Sequence, residues 1–589
     1  FNVVSINGEG SLLGVKYGDV VVPLTATNFP LFSGQVEADN ITNYKYVVLD
    51  EAGAVIEEES INRTYSEQTA KINEVYNRTT KDHEIPELPQ PFNSMFPFGN
   101  DDFKPFQKDT IFNVYAKCDP VVYNNLVAEP FIGGTHEQNN VPANCTITIV
   151  SPKKVFTSEG SIHIIGFGSR QYKRLSWNMR FEKKFKGRRS IKLRGIAGDP
   201  TLIRENLATA LYKSVGVPVQ EGTYCRLFIN GDTYGLYSLL DSFGKKWIAG
   251  YIHGDMKAKT GFSYRIYATY PHYADFRYIG DDYHLYNEFF MPDEYDDEDI
   301  DPDQEATKYP PLISLFKRFN DWVNMPGQPV EELAKFLNIE VILRLMVIDT
   351  LTIGQDNFLL RISNASVYYN ALKDKYFIVP YDFDKTLRDG SDEMLTPDYM
   401  SDCFTWAYQY EDKIDHFFTK TLLDHPEIKK RYDVILAKTT KELFNSQVIS
   451  SYTNAIADLI REDVQWNFDT LNDLSIPYQG VVNHYTYEQF EGNLGTEHVE
   501  ESAEIEDAAN VGLMEIVQLR GDNCRAATET VDISNNENIS DKEIVPVYKP
   551  VKKSEDGDEE HLSGAIAFLP TIKSTVYAIL FIQLLFTFF

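Results

Sequence analysis

The chain has 589 residues, 43% hydrophobic and 13% aromatic, a globular composition too long for one hydrophobic core. Its 56 basic against 87 acidic residues leave a formal charge of −31, which argues against nucleic acid or an anionic membrane surface as a partner. Five cysteines are too few for a disulfide-built scaffold but permit a few bridges.

Residues 1–150 show short alternating runs such as "NYKYVVLDEAGAVIEEE", separated by Gly, Asn and Asp, and are expected to form a β-sandwich-like domain. They carry no chemical constellation. Cys118 with Cys145, and Cys403 with Cys524, are plausible pairs on regional grounds, leaving Cys225 over.

From 151 the pattern changes. "SIHIIGFGSR" and "LSWNMRFEKKFKGRRSIKLRG" read as strands, and a helix is expected from Pro200 to Gly216. "NGD" at 230–232 joins two further strands as a hairpin. Residues 151–270 are expected as a first, β-rich lobe and 271–525 as a helical lobe. Within the latter, the acidic run 292–305 ("PDEYDDEDIDPDQE") reads as a solvated loop, lacking the Gly and spacing of an EF-hand. Residues 526–562 are polar and are expected as a flexible stalk.

The last residues, 576–589, are uninterrupted apolar sequence, short for a membrane span. With the small residues Ser563, Gly564 and Ala565 upstream, 563–589 reads as a glycosylphosphatidylinositol attachment signal with Ser563 or Gly564 as the attachment site. The opening at Phe1 without Met fits a processed, exported chain, as do sequons at Asn40, Asn62, Asn77, Asn144, Asn364 and Asn538. The expected location is the outer face of the plasma membrane, the wall or a spore surface.

"YFIVPYDFDKTL" (376–387) carries the chemistry. On an extended strand Asp382 and Asp384 share one face, and burying such a pair is costly unless a cation lies between them. Hard carboxylate oxygens suit Mg²⁺ or Mn²⁺ with nucleotide phosphates. Phosphoryl transfer further needs a cation on the phosphates and a carboxylate at the attacking hydroxyl. Lys192 is the candidate for the first, with Glu205 on the following helix as its ion-pair partner and Gly166 and Gly168 of "GFGSR" as a phosphate-cradling turn. Asp356 is the candidate for the second, with Asp349 as rival. The amide ligand of the metal is Asn364 or Asn357. Asn364 also heads a sequon, and a glycosylated Asn cannot be a buried ligand.

A β-lobe with one helix followed by a helical lobe is an α+β, atypical protein-kinase-like two-lobe layout. "RRSIKLRG", "DPTLIRENLATALYKSVGVP", "NGDTYGLYSLLD" and "PYDFD" resemble the CotH family of spore-coat kinases of spore-forming bacteria and Mucorales fungi, over about 160–525. The N-terminal β-type region, acidic insert, stalk and tail look like the fungal cell-surface branch. The resemblance implies ATP- and Mg- or Mn-dependent phosphorylation of Ser or Thr on coat or cell-surface proteins. It assigns Lys192 to the phosphates, Asp356 to catalysis and Asp382 to metal. It equally implies an adhesin or invasin, tethered to the membrane by its lipid anchor and binding a host-cell receptor, with weak or no catalysis.

Overall fold

The computed structural model describes residues 1–5, 11–38, 40–268, 272–295, 300–388, 395, 398–408, 414–474, 476–478, 480–500 and 509–550. The acidic residues 296–299 and the whole expected attachment signal, Ser563 and Gly564 included, lie outside them. The described residues divide into two units, Phe1–Asn77 with Pro152–Val155, and Arg78–Ser151 with the described residues from Phe156 to 550. The first domain therefore ends at 77 rather than 150.

In the first unit the alternating runs become β1 (Asn2–Val4), β2 (Leu12–Tyr17), β3 (Val20–Asn28), β4 (Leu31–Ser33), β5 (Asn43–Leu49), β6 (Val55–Glu58), β7 (Arg63–Thr64) and β8 (Glu74–Val75). They join in one eight-stranded sheet, ordered β6-β5-β2-β3-β4-β1-β8 with β7 on β5, where two stacked sheets were expected. Leu13, Val15, Phe32, Tyr44, Tyr46 and Tyr76 form its core. Buried beside them, Arg63 pairs with Glu59 (2.8 Å) and Glu74 (3.1 Å), so the buried charges are matched.

The second unit begins with a closed barrel. Its strands are β9 (Ile111–Cys118), β10 (Ala143–Val150), β11 (Val155–Ile165), β12 (Ser176–Phe185), β13 (Arg188–Arg194), β14 (Gly222–Ile229) and β15 (Asp232–Asp241). The order is β10-β11-β12-β13-β15-β14-β9. β9 and β10 were expected in the first domain. Their alternation suits any sheet, and what places them is the long-range parallel pairing of β9 with β14 (Ile111 opposite Tyr224). Cys118 and Cys145 face one another in the β9–β10 register and form a disulfide. Asn230 at φ +54° turns the β14–β15 hairpin as "NGD" predicts.

A second sheet, antiparallel, joins β16 (Phe262–Ile266), at the end of the expected β-rich lobe, to three strands of the lobe expected to be helical: β17 (Phe290–Tyr295), β18 (Ala365–Asn370) and β19 (Lys375–Pro380), the last of them expected as a strand; the order is β17-β16-β18-β19. The acidic run thus starts as strand, because Pro292 and Tyr295 pair with β16. The site is framed by helices α1 (Arg204–Ser214) and α2 (Ile339–Thr352), while α3 (Ser446–Asp473) packs on the barrel and α4 (Leu513–Ala527) on other helices. Helix α2 is buried along its whole length, its apolar residues on all sides and its charges matched within the core, as Glu340 with Arg344 (2.9 Å). Asp463 of α3, fully buried, accepts Arg78 (3.0 Å) and Arg226 of β14 (2.6 Å), joining helix to barrel. A second disulfide ties Cys403 to Cys524 of α4, and Cys225 is a buried thiol.

The expected stalk is corrected over its described part. Residues 538–548 lie along the second unit: Ile539 N donates to Glu340 (3.1 Å), Val545 N to Ser94 O (3.0 Å) and Tyr548 N to Pro97 O (2.7 Å). The cause is Glu340, buried with Arg344 and Arg431, whose acceptors this segment completes. Among the described residues no helix is long and apolar enough to cross a membrane.

Candidate active site

Strand β13 sets the first side of the site. Ile191 and Leu193 belong to the barrel core, so by alternation Lys192 and Arg194 face outward. Opposite them stands α1, which starts at Arg204 rather than Pro200. Leu202 at φ +57° interrupts the turn, and Asp199 caps the delayed start through Arg204 N (2.9 Å). Glu205 in the first turn is then buried against the strand.

The second side is the open end of the β18–β19 hairpin, where Tyr381 N donates to Asn364 O (2.9 Å). Asp382 sits at φ +62°, a strained conformation for a residue with a side chain. Strand alternation does not extend to it, since β19 stops at Pro380. What turns both carboxylates to one side is a shared partner. Arg194 Nη2 contacts Asp382 Oδ1 and lies 3.3 Å from Asp384 Oδ2, while its Nε holds Glu205 Oε1 at 3.1 Å. The cation between the aspartates is therefore Arg194. Glu205 pairs with Arg194 and not, as expected, with Lys192, which makes no ion pair among the described residues and lies 5.6 Å from the Tyr381 ring centroid.

The third side is the turn after α2. Ile353 at φ +50° ends that helix, and the tight Gly354 leaves room for Asn357, whose Cβ lies 3.0 Å from where a Gly354 Cβ would be. Asn357 Nδ2 donates to Tyr381 O (3.3 Å) and Asp382 O (3.1 Å), so it fixes the backbone under Asp382. The Asn364 side chain lies near Asp356 and favours its charged form. Asp349, the rival acid, is fully buried and accepts the Tyr212 hydroxyl and Leu359 N (2.8 Å), which makes it a support for this turn.

Gly166 and Gly168 lie in the β11–β12 turn. Ile165 pairs with Ser176 and Trp177 with Leu193, which puts this turn at the barrel edge that carries Arg194. Gly166 needs its φ of +80°, whereas a Cβ on Gly168 would meet open space. The buried Arg170 guanidinium fastens the turn by donating to Gly166 O (2.8 Å) and Ile164 O (2.8 Å). Among the sequons, Asn40, Asn62, Asn77 and Asn144 are exposed, while Asn364 is half-buried in the site. Asn538 is half-buried too and accepts from Arg344 (2.9 Å).

The charges perturb one another. Burial and the neighbouring Arg265 and Arg194 push the Lys192 ammonium down to about 8, against the pull of Asp382. Burial pushes Glu205 up to about 7 despite Arg194, and Asp356 up to about 6 despite Lys385 and Arg361. Burial disfavours the charged form of Asp382, but Arg194 outweighs it and holds that carboxyl below its ordinary value. Burial and the adjacent Asp382 push Asp384 well up.

The donor chemistry, hard oxygens throughout, is of the type a divalent cation prefers, though the described side chains are not arranged around one. Asp356 Oδ1 and Asn357 Oδ1 are buried oxygens without a hydrogen-bond donor, beside the two aspartates, and Glu205 Oε2, also without one, belongs to the carboxylate that Arg194 holds. No group of three His, Cys, Asp or Glu side chains is arranged for a metal among the described residues, and here the space between the acids is taken by Arg194. Sequence reasoning missed Arg194, although it lies two residues from Lys192 on the same face. It also missed the pair of Arg265 with Asp293 (2.8 Å), which comes from β16 and β17.

Residues 162–503 match the family model described as CotH kinase protein. The chain is 25% identical over 516 residues to Invasin CotH3 of Rhizopus delemar, covering 84% of this chain and 78% of that protein. It is 26% identical over 532 residues to Spore coat protein homolog 1 of the same fungus, covering 88% and 78%. Inner spore coat protein H of Bacillus subtilis is 25% identical over 311 residues, covering 52% of this chain and 77% of that protein. A family model spanning more than half of the chain, together with fungal relatives along most of it, gives the assignment: the chain belongs to the CotH family, on its Mucorales branch.

Proposed function

We propose that the chain is a surface or coat phosphotransferase that moves the γ-phosphoryl of ATP to Ser or Thr with Mg²⁺ or Mn²⁺. The observation that carries this reading is the convergence, in kinase chain order, of a strand Lys192, a helix Glu205, a loop Asp356 and the Asp382–Asp384 pair on one site. The metal supplies charge neutralisation of the phosphates. Asp382 and Asp384 hold it, with Asn364 or Asn357 as the amide ligand. Asn357 also keeps the Asp382 backbone in place.

Lys192, short of a carboxylate partner and facing out of the barrel, is the cation for the phosphates, with Gly166 and Gly168 as the turn above them. Asp356 orients the acceptor hydroxyl and takes its proton. Its raised pKa makes it a better base than an ordinary aspartate. The chain's melting temperature measured with ATP and Mn²⁺ tests the reading. A ligand at a hundred times its dissociation constant stabilises by about 2.7 kcal/mol. A shift in wild type that Asp382→Ala abolishes supports it; no shift in wild type sinks it.

Relatives named invasins favour a second reading, adhesion to a host-cell receptor from a lipid-anchored position. Host-cell binding by Asp382→Ala at wild-type strength would separate that role from catalysis.

A further inference from the structure

Arg194 makes two kinds of contact with one guanidinium. Its Nε holds Glu205 Oε1 at 3.1 Å, and its Nη2 is shared between Asp382 Oδ1 and Asp384 Oδ2. The position of Nη2 is one that a divalent cation bound by the two aspartates would claim, since such ions bind oxygen at about 2.0–2.1 Å. Two cations cannot occupy that one position between Asp382 and Asp384. Arginine does not lose its proton, so the place is cleared by movement rather than by titration.

A destination for that movement is already built. Glu205 is 3% exposed, and its Oε2 has no donor, although its Oε1 is held by the same guanidinium. Arginine and carboxylate form a two-bond fork when both oxygens are available. Turning the guanidinium so that Nη2 leaves the aspartates for Glu205 Oε2 would complete this fork and satisfy the orphaned oxygen.

We propose that Arg194 is a two-position switch: it neutralises Asp382 and Asp384 in the metal-free chain, and moves into a fork with Glu205 when a divalent cation takes its place. This rests on the nucleotide–metal reading and adds to it that metal entry and arginine release are one exchange. Arg194 and Glu205 are thus positioning residues for the metal.

The test is Mn²⁺ binding by the full chain without nucleotide, read by electron paramagnetic resonance of free Mn²⁺. Arg194→Gln, freed of the competitor, is expected to bind at least tenfold more tightly than wild type. Glu205→Gln, lacking the receiving carboxylate, is expected to bind at least threefold more weakly. In the double variant the Glu205 effect should vanish, because Glu205 acts only through Arg194. Arg194→Lys, which keeps the charge but cannot form the fork, should fall between wild type and Arg194→Gln, and it serves if the latter does not fold. Arg265→Gln removes a nearby charge that touches neither aspartate, and should change binding less than twofold.

Equal tightening by Arg194→Gln and Arg265→Gln, or the same Glu205 effect with and without Arg194, would overturn the switch while leaving the metal site standing. Mn²⁺ binding by neither wild type nor any variant would overturn both.

Discussion

The Phe383 ring stacks on the Tyr212 ring, 4.7 Å between centroids and 23° between planes. The residue between the two site aspartates is thereby clamped to the helix that carries Glu205. Both rings are buried, and the Tyr212 hydroxyl continues the connection to Asp349. Phe383→Ala should cost about 3–5 kcal/mol by the loss of a large buried ring. It should also abolish the ATP·Mn²⁺ stabilisation, because Asp382 and Asp384 lose their common anchor. Urea denaturation with and without ligand reads both effects, and an intact ligand shift would refute the clamp.

Asp356→Asn should lower single-turnover phosphoryl transfer by about 10²–10⁴-fold while leaving ATP·Mn²⁺ binding in place. Since burial pushes Asp356 up to about 6, and a base must be ionised, the wild-type rate should fall as pH drops through about 6. A flat wild-type profile from pH 5 to 8 in the chemical step would rule Asp356 out as the base.

Asp349 gives a stability prediction of the opposite sense to a salt-bridged acid. Burial, only partly opposed by hydrogen bonds from Tyr212 and Leu359 N, pushes it up to about 7. Between pH 4 and 7 the folded chain keeps a proton that the unfolded chain has released. The contribution of Asp349 is full below about pH 4 and is lost as pH rises to 7, with a steepest slope of about 1.4 kcal/mol per pH unit. Asp349→Asn should therefore gain on wild type between pH 5 and 7 and hold a constant difference above. A difference independent of pH would show that Asp349 is ionised when folded.

The site acids were legible in the sequence because they are local. "DFD" after an apolar strand, a Gly-led turn before Asp356 and a capped helix behind Glu205 each lie within a few residues. The choice between Lys192 and Arg194 was not legible. A period of two puts both on one face, and which one meets Glu205 depends on the tilt of α1, set by the positive φ of Leu202 and the Asp199 cap. The barrel was missed because β9 finds its partner β14 more than a hundred residues away, a pairing no window of sequence contains. The polar composition of 538–548 read as stalk because its role is to satisfy one buried carboxylate, Glu340, two hundred residues earlier.

Glu340→Ala should leave Arg344 and Arg431 buried without their carboxylate, at a cost of about 3–5 kcal/mol. It should also raise amide exchange at Ile539, which donates to the same carboxylate, and in its neighbours through Tyr548. Unchanged protection of Ile539 would show that the segment is held by its other contacts.

Replacing Cys403 and Cys524 together by Ser removes a crosslink spanning 121 residues of sequence. The expected loss is about 2–5 kcal/mol, chiefly through a freer unfolded chain. Denaturation under matched, non-reducing conditions checks it; an unchanged midpoint would mean that the crosslink does not restrain the unfolded chain.

Closing the barrel has a consequence for the spacing of Lys192 and Arg194. In an open sheet a strand can slip by relaxing toward a free edge, and one step would turn both cations inward. Here β13 is one member of a ring of seven strands, so any slip must be absorbed by every other strand before it returns to its starting point. The tolerance with which Arg194 meets the two aspartates is thus set by the circumference, and a substitution in β9 or β10 that strains the seam will be felt there.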